Sequence, residues 1–201
     1  VIGVQRIGIA LDGATPEIFK KIKGNEVDGP YSWDEHFQKL KEAVEIFSEG
    51  AEEAVSTHLI VGLGETEKDI LERIEELHNL VILVSLFAFT PIKGTRLEHQ
   101  VQPQLLCFRK LQLGRYLIVN NKKVIRDFTF NLKGDLVSIN INKKELQSVI
   151  DNTEAFLTSG CPGCNRPYYT SKPSGPIFNY PRKLNEIEKK EIYGLLNQFV
   201  N

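Results

Sequence analysis

Apolar residues up to Val119 fall into short uniform runs separated by longer stretches in which they recur at helical spacing. The short runs have the length of buried strands, and the longer stretches have the length of amphipathic helices. The predicted strands are Ile7–Leu11, Val55–Val61 and Val81–Phe89, and the predicted helices begin at Pro16 and span Trp33–Phe47, Glu67–His78 and Pro103–Val119. Apolar strands that alternate with helices are typical of parallel βαβ units, so the pattern predicts an α/β fold.

The pattern changes after Val119. Two short strand candidates, around Val124–Phe130 and Leu136–Ile141, precede a stretch rich in proline and glycine, and a last helix is predicted from about Asn185 to Phe199. We therefore divide the chain into residues 1–141, which carry the βαβ units, and residues 142–201, which form a C-terminal extension.

Each predicted strand leads into a loop rich in Gly, Asp, Thr or Lys. In parallel sheets such loops lie together at the carboxyl ends of the strands, where ligands bind. Asp12 follows the first strand, and it can hold the hydroxyls of a ribose or cap the next helix. The turn Gly62-Leu63-Gly64-Glu65-Thr66 allows close backbone approach to a ligand, although a plain turn with a helix cap explains it at least as well. Lys93-Gly94-Thr95 can bind a carboxylate or phosphate, or form a solvated turn. His58 lies inside a strand, where a histidine is more often a core residue or a neighbour of a ligand-binding residue than a ligand.

Two cysteines in the extension are candidate metal ligands. Cys161 and Cys164 are separated by Pro162 and Gly163, which predict a tight turn that directs both thiols to one point. This spacing suits zinc and an iron–sulfur cluster equally well, and it provides two of the usual four ligands. Cys107 is a poor third ligand because it lies in a strongly helical, apolar stretch.

Composition limits the classes of function. The chain has 201 residues, 41% of them hydrophobic, which is enough for one well-packed domain or for part of a larger one. Its net charge of -1 and its pI near 6.5 argue against a nucleic-acid-binding surface. No apolar run reaches the roughly 18–20 residues that span a bilayer, and no signal peptide is present, so we expect a cytoplasmic protein that does not enter the membrane. The chain starts within an apolar segment and contains no methionine, which suggests the C-terminal part of a longer protein.

Three segments, in this order, resemble a known family. Ile9-Ala10-Leu11-Asp12, Ile60-Val61-Gly62-Leu63-Gly64-Glu65-Thr66 and Thr90-Pro91-Ile92-Lys93-Gly94-Thr95 are similar to the fourth, fifth and sixth strand ends of the radical S-adenosylmethionine (SAM) barrel, in its biotin-synthase-like branch. The stretch Thr158–Tyr169, with Asn179-Tyr180-Pro181, resembles the C-terminal segment of archaeal biotin-synthase-related proteins, which include the archaeal type of lipoyl synthase. The resemblance implies a partial TIM-type (βα) barrel whose earlier strands precede Val1.

The resemblance also implies a cofactor and its neighbours. SAM would lie at the strand ends, with Asp12 close to its ribose or to the substrate, and with Ile60–Gly64 against its adenine. The residues implied to border the cofactor are Asp12, Ile60, Gly62, Leu63, Gly64, Glu65, Thr90 and Lys93. Family members hold a catalytic [4Fe-4S] cluster in a Cys-x-x-x-Cys-x-x-Cys loop, which this chain lacks. The cluster ligands are therefore expected outside the chain, which alone would be inactive, and no catalytic residue is assigned.

The implied reaction is sulfur insertion into an unactivated C–H bond, as in lipoyl and biotin synthases. An auxiliary iron–sulfur cluster at Cys161 and Cys164 would supply the sulfur. The expected partners are a small-molecule or carrier-bound substrate and an electron-donor protein. Two alternatives stay open. One is a radical SAM enzyme of other chemistry with structural zinc at the two cysteines, and the other is a non-catalytic scaffold in which they form a zinc knuckle.

Overall fold

A three-stranded parallel sheet forms the centre of the protein. The computed structural model describes residues 4–47, 54–159, 171 and 175–201. The strands are β1 (Ile7–Gly8), β2 (Val55–Val61) and β3 (Leu83–Ala88), in the order β1-β2-β3. Ile7 pairs with Val55, and Val61 pairs with Ala88, so the carboxyl ends of all three strands lie at one edge of the sheet. This confirms the predicted α/β class, whereas a closed barrel stays a prediction.

Helices connect the strands, and their starts follow from local capping. The helices are α1 (Pro16–Ile22), α2 (Trp33–Phe47), α3 (Glu67–Asn79) and α4 (Leu105–Val119). Thr15 caps α1 by accepting a hydrogen bond from the Ile18 N–H, and Pro16 occupies the first helical position. Thr66 and Asp69 form a reciprocal capping box at the start of α3. The helix predicted from Pro103 begins two residues later, at Leu105.

The two faces of the sheet differ in burial. Along β2, residues alternate between buried and half-buried, with Val55, Thr57, Leu59 and Val61 on the buried face. That face belongs to one hydrophobic core that includes side chains of α3 and α4, among them Ile74 and Leu111. The opposite face carries Ser56, His58 and Ile60 of β2, which are half-buried, with Leu83, Ser85 and Phe87 of β3, of which only Phe87 is half-buried; we call these six residues the open face.

The C-terminal part packs against the same core. It consists of the antiparallel strands β4 (Phe128–Phe130) and β5 (Leu136–Ile139), and of helices α5 (Lys143–Asn152) and α6 (Glu186–Leu196). Leu136 and Leu146 belong to one buried cluster with the sheet residues. The sequence analysis missed α5, and the division of the chain at residue 141 stays a prediction. None of the helices in the described ranges is long and apolar enough to cross a membrane.

The outer edge of β3 is covered by side chains. Arg115 donates to the carbonyl oxygen of Val84, and Asn179 Nδ2 donates to that of Leu86 over 2.9 Å. Ser85 Oγ donates to the carbonyl oxygen of Ser159 over 3.3 Å. The first two contacts occupy backbone carbonyl groups that a further strand would need. In the part of the chain that the structure describes, β1 is therefore the edge at which the sheet can be extended.

Candidate functional site

A β-bulge places Asp12 at the end of the first strand. The Ile9 N–H donates to Ser56 O, and the next ladder bond runs from the Asp12 N–H to His58 O. Between these two bonds the chain advances by three residues from Ile9 to Asp12 but by only two from Ser56 to His58. The one extra residue defines a β-bulge. Asp12 adopts a left-handed φ of 63°, which aspartate tolerates better than most residues do. The predicted strand Ile7–Leu11 is consequently interrupted, and β1 itself ends at Gly8.

The Asp12 carboxylate is held by two basic side chains. Its Oδ1 lies 2.7 Å from His58 Nε2, and its Oδ2 lies 2.6 Å from Lys23 Nζ. Helix α1 is capped by Thr15, so the alternative that Asp12 caps this helix is wrong. The Asp12 side chain is 17% exposed and that of His58 is 34% exposed. Both groups therefore remain accessible to a ligand.

The charges around Asp12 keep it ionised. Burial acts to raise the pKa of Asp12, but hydrogen bonds from His58 and Lys23 outweigh it and hold this pKa below its usual value. His36 lies close by, with Nε2 3.0 Å from the carbonyl oxygen of Ala10, which also accepts from Lys23 Nζ. Burial, followed by the charge of Lys23, lowers the pKa of His36. The cluster thus combines an anion, a cation and two imidazoles.

The sequence analysis missed Lys23 and His36. Neither residue lies at a strand end, and they are positioned by α1 and α2, whose packing brings them to the carbonyl oxygen of Ala10. The sequence pattern favoured His58 as a core residue or as a neighbour of a ligand-binding residue; in the structure it is 34% exposed and contacts Asp12, and whether Asp12 binds a ligand stays a prediction. Its ring lies 5.0 Å from that of Phe87 in an edge-to-face arrangement on the open face.

The glycine turn after β2 is closed by its own glutamate. The Glu65 carboxylate accepts hydrogen bonds from the N–H groups of Gly62 at 2.6 Å and Leu63 at 2.9 Å. Gln100 donates to the carbonyl oxygen of Gly62. Burial raises the pKa of Glu65 despite these backbone hydrogen bonds. Because Glu65 occupies the N–H groups of Gly62 and Leu63, the plain turn with a helix cap describes them better than a backbone ligand site does. Leu63 is half-buried and Gly64 is exposed.

The third predicted loop is exposed. Residues 90–96 are all exposed, and Lys93 lies among them. Gly94 has a φ of 84°, and its N–H donates to Glu98 Oε2 over 2.7 Å. Thr90 accepts a hydrogen bond from Gln102. This arrangement corresponds to the solvated turn rather than to a preformed anion site.

The cysteine pair lies outside the described residues, but its flanks are anchored. Before it, Ser159 accepts the hydrogen bond from Ser85 of the open face. After it, Ser171 Oγ accepts from the Phe178 N–H over 3.0 Å. Within the described ranges, no three His, Cys, Asp or Glu side chains are grouped so that they could hold a metal ion. The metal prediction for Cys161 and Cys164 therefore stays a prediction.

A buried arginine of α4 binds the chain that follows the cysteine pair, at Ile177 and Phe178. Arg109 is 1% exposed and donates to the carbonyl oxygens of Phe178 and of Ile177, the latter over 2.7 Å. Gln112 donates to Phe178 O and to Asn179 Oδ1. The chain is also paired across the gap, because the Thr158 N–H donates to Tyr180 O over 2.9 Å. We call the chain between Ser159 and Ile177, which contains Cys161 and Cys164, the cysteine segment. The described residues on both sides of it are thus held beside β3.

A second polar cluster borders a cavity of about 540 Å³ between α3 and α4. Lys110 Nζ lies 2.6 Å from Glu67 Oε2 and 3.1 Å from the carbonyl oxygen of Leu136. Burial, followed by the charge of Glu67, raises the pKa of the Cys107 thiol. The charges of Lys110 and Glu67 compensate each other. Because both side chains also form hydrogen bonds with the backbone of Leu136, this cluster joins the β4–β5 hairpin to α3 and α4.

Comparison of the chain with protein-family models, with curated proteins and with solved structures finds no match.

Proposed function

We propose that this chain is part of a cytoplasmic radical SAM enzyme that inserts sulfur into an unactivated C–H bond, as lipoyl and biotin synthases do. The observation that carries the proposal is the placement of Asp12 by a bulge at the carboxyl end of β1, next to the half-buried His58 and Ile60 of the parallel sheet. Ligands of parallel α/β sheets bind at this edge. The residue resemblance adds the identity of the ligand.

The residues around Asp12 fit the adenosyl part of SAM. Each oxygen of an ionised carboxylate accepts more than one hydrogen bond, so Asp12 can accept from ribose hydroxyls while it keeps His58 and Lys23. Ile60 offers an apolar side chain on the same face for the adenine. The N–H groups of Gly62 and Leu63 are engaged by Glu65, so adenine contacts would fall to side chains and to the exposed Gly64.

The bound cofactor, with its [4Fe-4S] cluster, would supply the radical that removes hydrogen from the substrate. The chain's own residues would orient the cofactor and keep water away from it. The side chains that cover the outer edge of β3 leave the sheet extendable at β1, which agrees with earlier strands that precede this chain. The cluster ligands are expected on those strands.

Cys161 and Cys164 provide two ligands of the proposed auxiliary cluster, and its other ligands must come from elsewhere. Both flanks of the cysteine segment are anchored at β3: Ser159 accepts a hydrogen bond from Ser85 of the open face, and Asn179 donates to the carbonyl oxygen of Leu86. This arrangement supports a cluster held near the substrate. An electron-donor protein and a small-molecule or carrier-bound substrate complete the proposed reaction.

Anaerobic reconstitution of the protein encoded by the complete gene tests the proposal. We expect two iron–sulfur clusters by iron and sulfide analysis, and 5′-deoxyadenosine after reduction in the presence of SAM. Cys161→Ala combined with Cys164→Ala should remove one cluster, whereas the matched control Cys107→Ala should remove none, because Cys107 is held in α4.

Three results would contradict parts of the proposal. Zinc without sulfide in the purified protein would favour the structural-zinc alternative. A single cluster that the double cysteine substitution leaves intact would exclude sulfur donation from these cysteines. A complete gene product without a Cys-x-x-x-Cys-x-x-Cys loop would favour the non-catalytic scaffold.

A further inference from the structure

The two ring nitrogens of His58 have different surroundings. Nε2 lies 2.7 Å from the Asp12 carboxylate, while Nδ1 has no hydrogen-bond partner among the residues that the structure describes. The imidazole is one-third exposed and packs its ring against Phe87. His58 therefore has one nitrogen committed to the protein and one that is open to a ligand.

The contact with Asp12 determines the tautomer of His58. An ionised carboxylate can only accept hydrogen bonds, so Nε2 must carry the hydrogen. Lys23 strengthens this assignment because its Nζ, 2.6 Å from Oδ2, keeps Asp12 ionised. In a neutral imidazole with the hydrogen on Nε2, Nδ1 is a hydrogen-bond acceptor.

We propose that His58 is a ligand-binding residue, and that Asp12 and Lys23 orient it so that Nδ1 accepts a hydrogen bond from a hydroxyl group of the ligand. The ribose of an adenosyl cofactor carries hydroxyls of this kind, and in this respect the inference rests on the proposed function. His58 and Asp12 together would then bind the two hydroxyls of one ribose. Asp12 orients the imidazole, and Nδ1 of the imidazole accepts the hydrogen bond from the ligand hydroxyl.

Substitution by glutamine separates binding from structure. The glutamine amide N–H can donate to Asp12 in place of Nε2, but it leaves no acceptor at the position of Nδ1. We expect His58→Gln to weaken adenosine binding by about 3- to 10-fold, the effect of one hydrogen bond, in calorimetric titration of the complete gene product. Binding of 2′,3′-dideoxyadenosine, which lacks both hydroxyls, should be unchanged. His99→Gln, at a side chain that is 93% exposed, is the matched control and should change neither affinity.

Each other outcome overturns the inference in a distinguishable way. If His58→Gln leaves adenosine binding unchanged, or weakens both nucleosides equally, His58 does not bind a hydroxyl, and the proposed function is unaffected. If the wild-type protein binds neither nucleoside, the adenosyl ligand itself is wrong and the proposed function fails with it. The imidazole ¹⁵N chemical shifts give a test without ligand: neutral His58 should carry its hydrogen on Nε2, and hydrogen on Nδ1 would refute the proposal.

Discussion

Arg109 is the residue on which the attachment of the cysteine segment depends most directly. Its guanidinium is buried and donates to the carbonyl oxygens of Ile177 and Phe178 and to the Gln112 side chain. It also lies 5.0 Å from the ring centroid of Tyr180. Replacement by methionine would keep an unbranched apolar side chain in the space and remove these hydrogen bonds.

The expected loss of stability follows from the acceptors that remain. Phe178 O keeps its bond from Gln112, but Ile177 O and Gln112 Oε1 lose their donor, at about 1–3 kcal/mol each. Part of this loss is offset because burial is unfavourable for the cation and lowers the pKa of Arg109 to about 10. We therefore expect Arg109→Met to reduce the free energy of unfolding by about 2–4 kcal/mol.

Urea denaturation monitored by circular dichroism measures this change. Arg126→Met is the matched control, because Arg126 is exposed, and it should stay within about 0.5 kcal/mol of the wild type. Hydrogen exchange gives the local readout: the N–H groups of Thr158 and Tyr180, which pair the two flanks, should exchange faster in Arg109→Met than the N–H of Ile60 in β2. A loss below about 1 kcal/mol, or faster exchange spread evenly over the sheet, would refute the anchoring role.

The remaining predictions concern the strand ends and the free thiol. Because the pKa of Asp12 is lowered in the folded state, its stabilising effect is complete above its unfolded pKa and is lost as the pH falls through the folded value; the unfolding midpoint should therefore fall less steeply below about pH 3.8 in Asp12→Asn than in the wild type. Gly62→Ala should be more destabilising than Gly64→Ala in thermal denaturation, because both glycines have positive φ but only a Cβ at Gly62 would meet Pro103, at 2.9 Å; equal losses would show that backbone strain alone matters. Cys107 should resist iodoacetamide at neutral pH in the native protein and react after unfolding, as seen by mass spectrometry, because burial raises its pKa.

Local elements were the most predictable part of the fold. The bounds of α2 and β2 agree with the sequence pattern, and α3 begins at the predicted Glu67. These elements have continuous apolar periodicity, and α3 has a cap whose hydrogen bonds join residues three apart. The missed helix α5 carries the same kind of signal, since Asn142 and Glu145 form a capping box at its start. A systematic search for caps would have found it.

The strand ends were predictable only as a group. Parallel βαβ order placed Asp12 and the loops after β2 and β3 at one edge, and the strand register agrees with this. The local backbone conformation and the exposure of each strand end were not predictable. The bulge at Asp12, the closure of the glycine turn by Glu65 and the exposure of Lys93 all depend on backbone geometry that the residue types permit but do not require.

The sequence by itself determined most of the helices and strands before Val119, the parallel order of the sheet, and the spacing of two cysteines three positions apart in the extension. Tertiary structure alone decided that Asp12 meets His58 and Lys23, and that Arg109 holds the chain beside the cysteine segment. The physical reason is the range of the interactions. Caps and apolar stripes act within one or two helical turns, whereas these contacts require the register of separate strands and the packing of a helix against a distant loop.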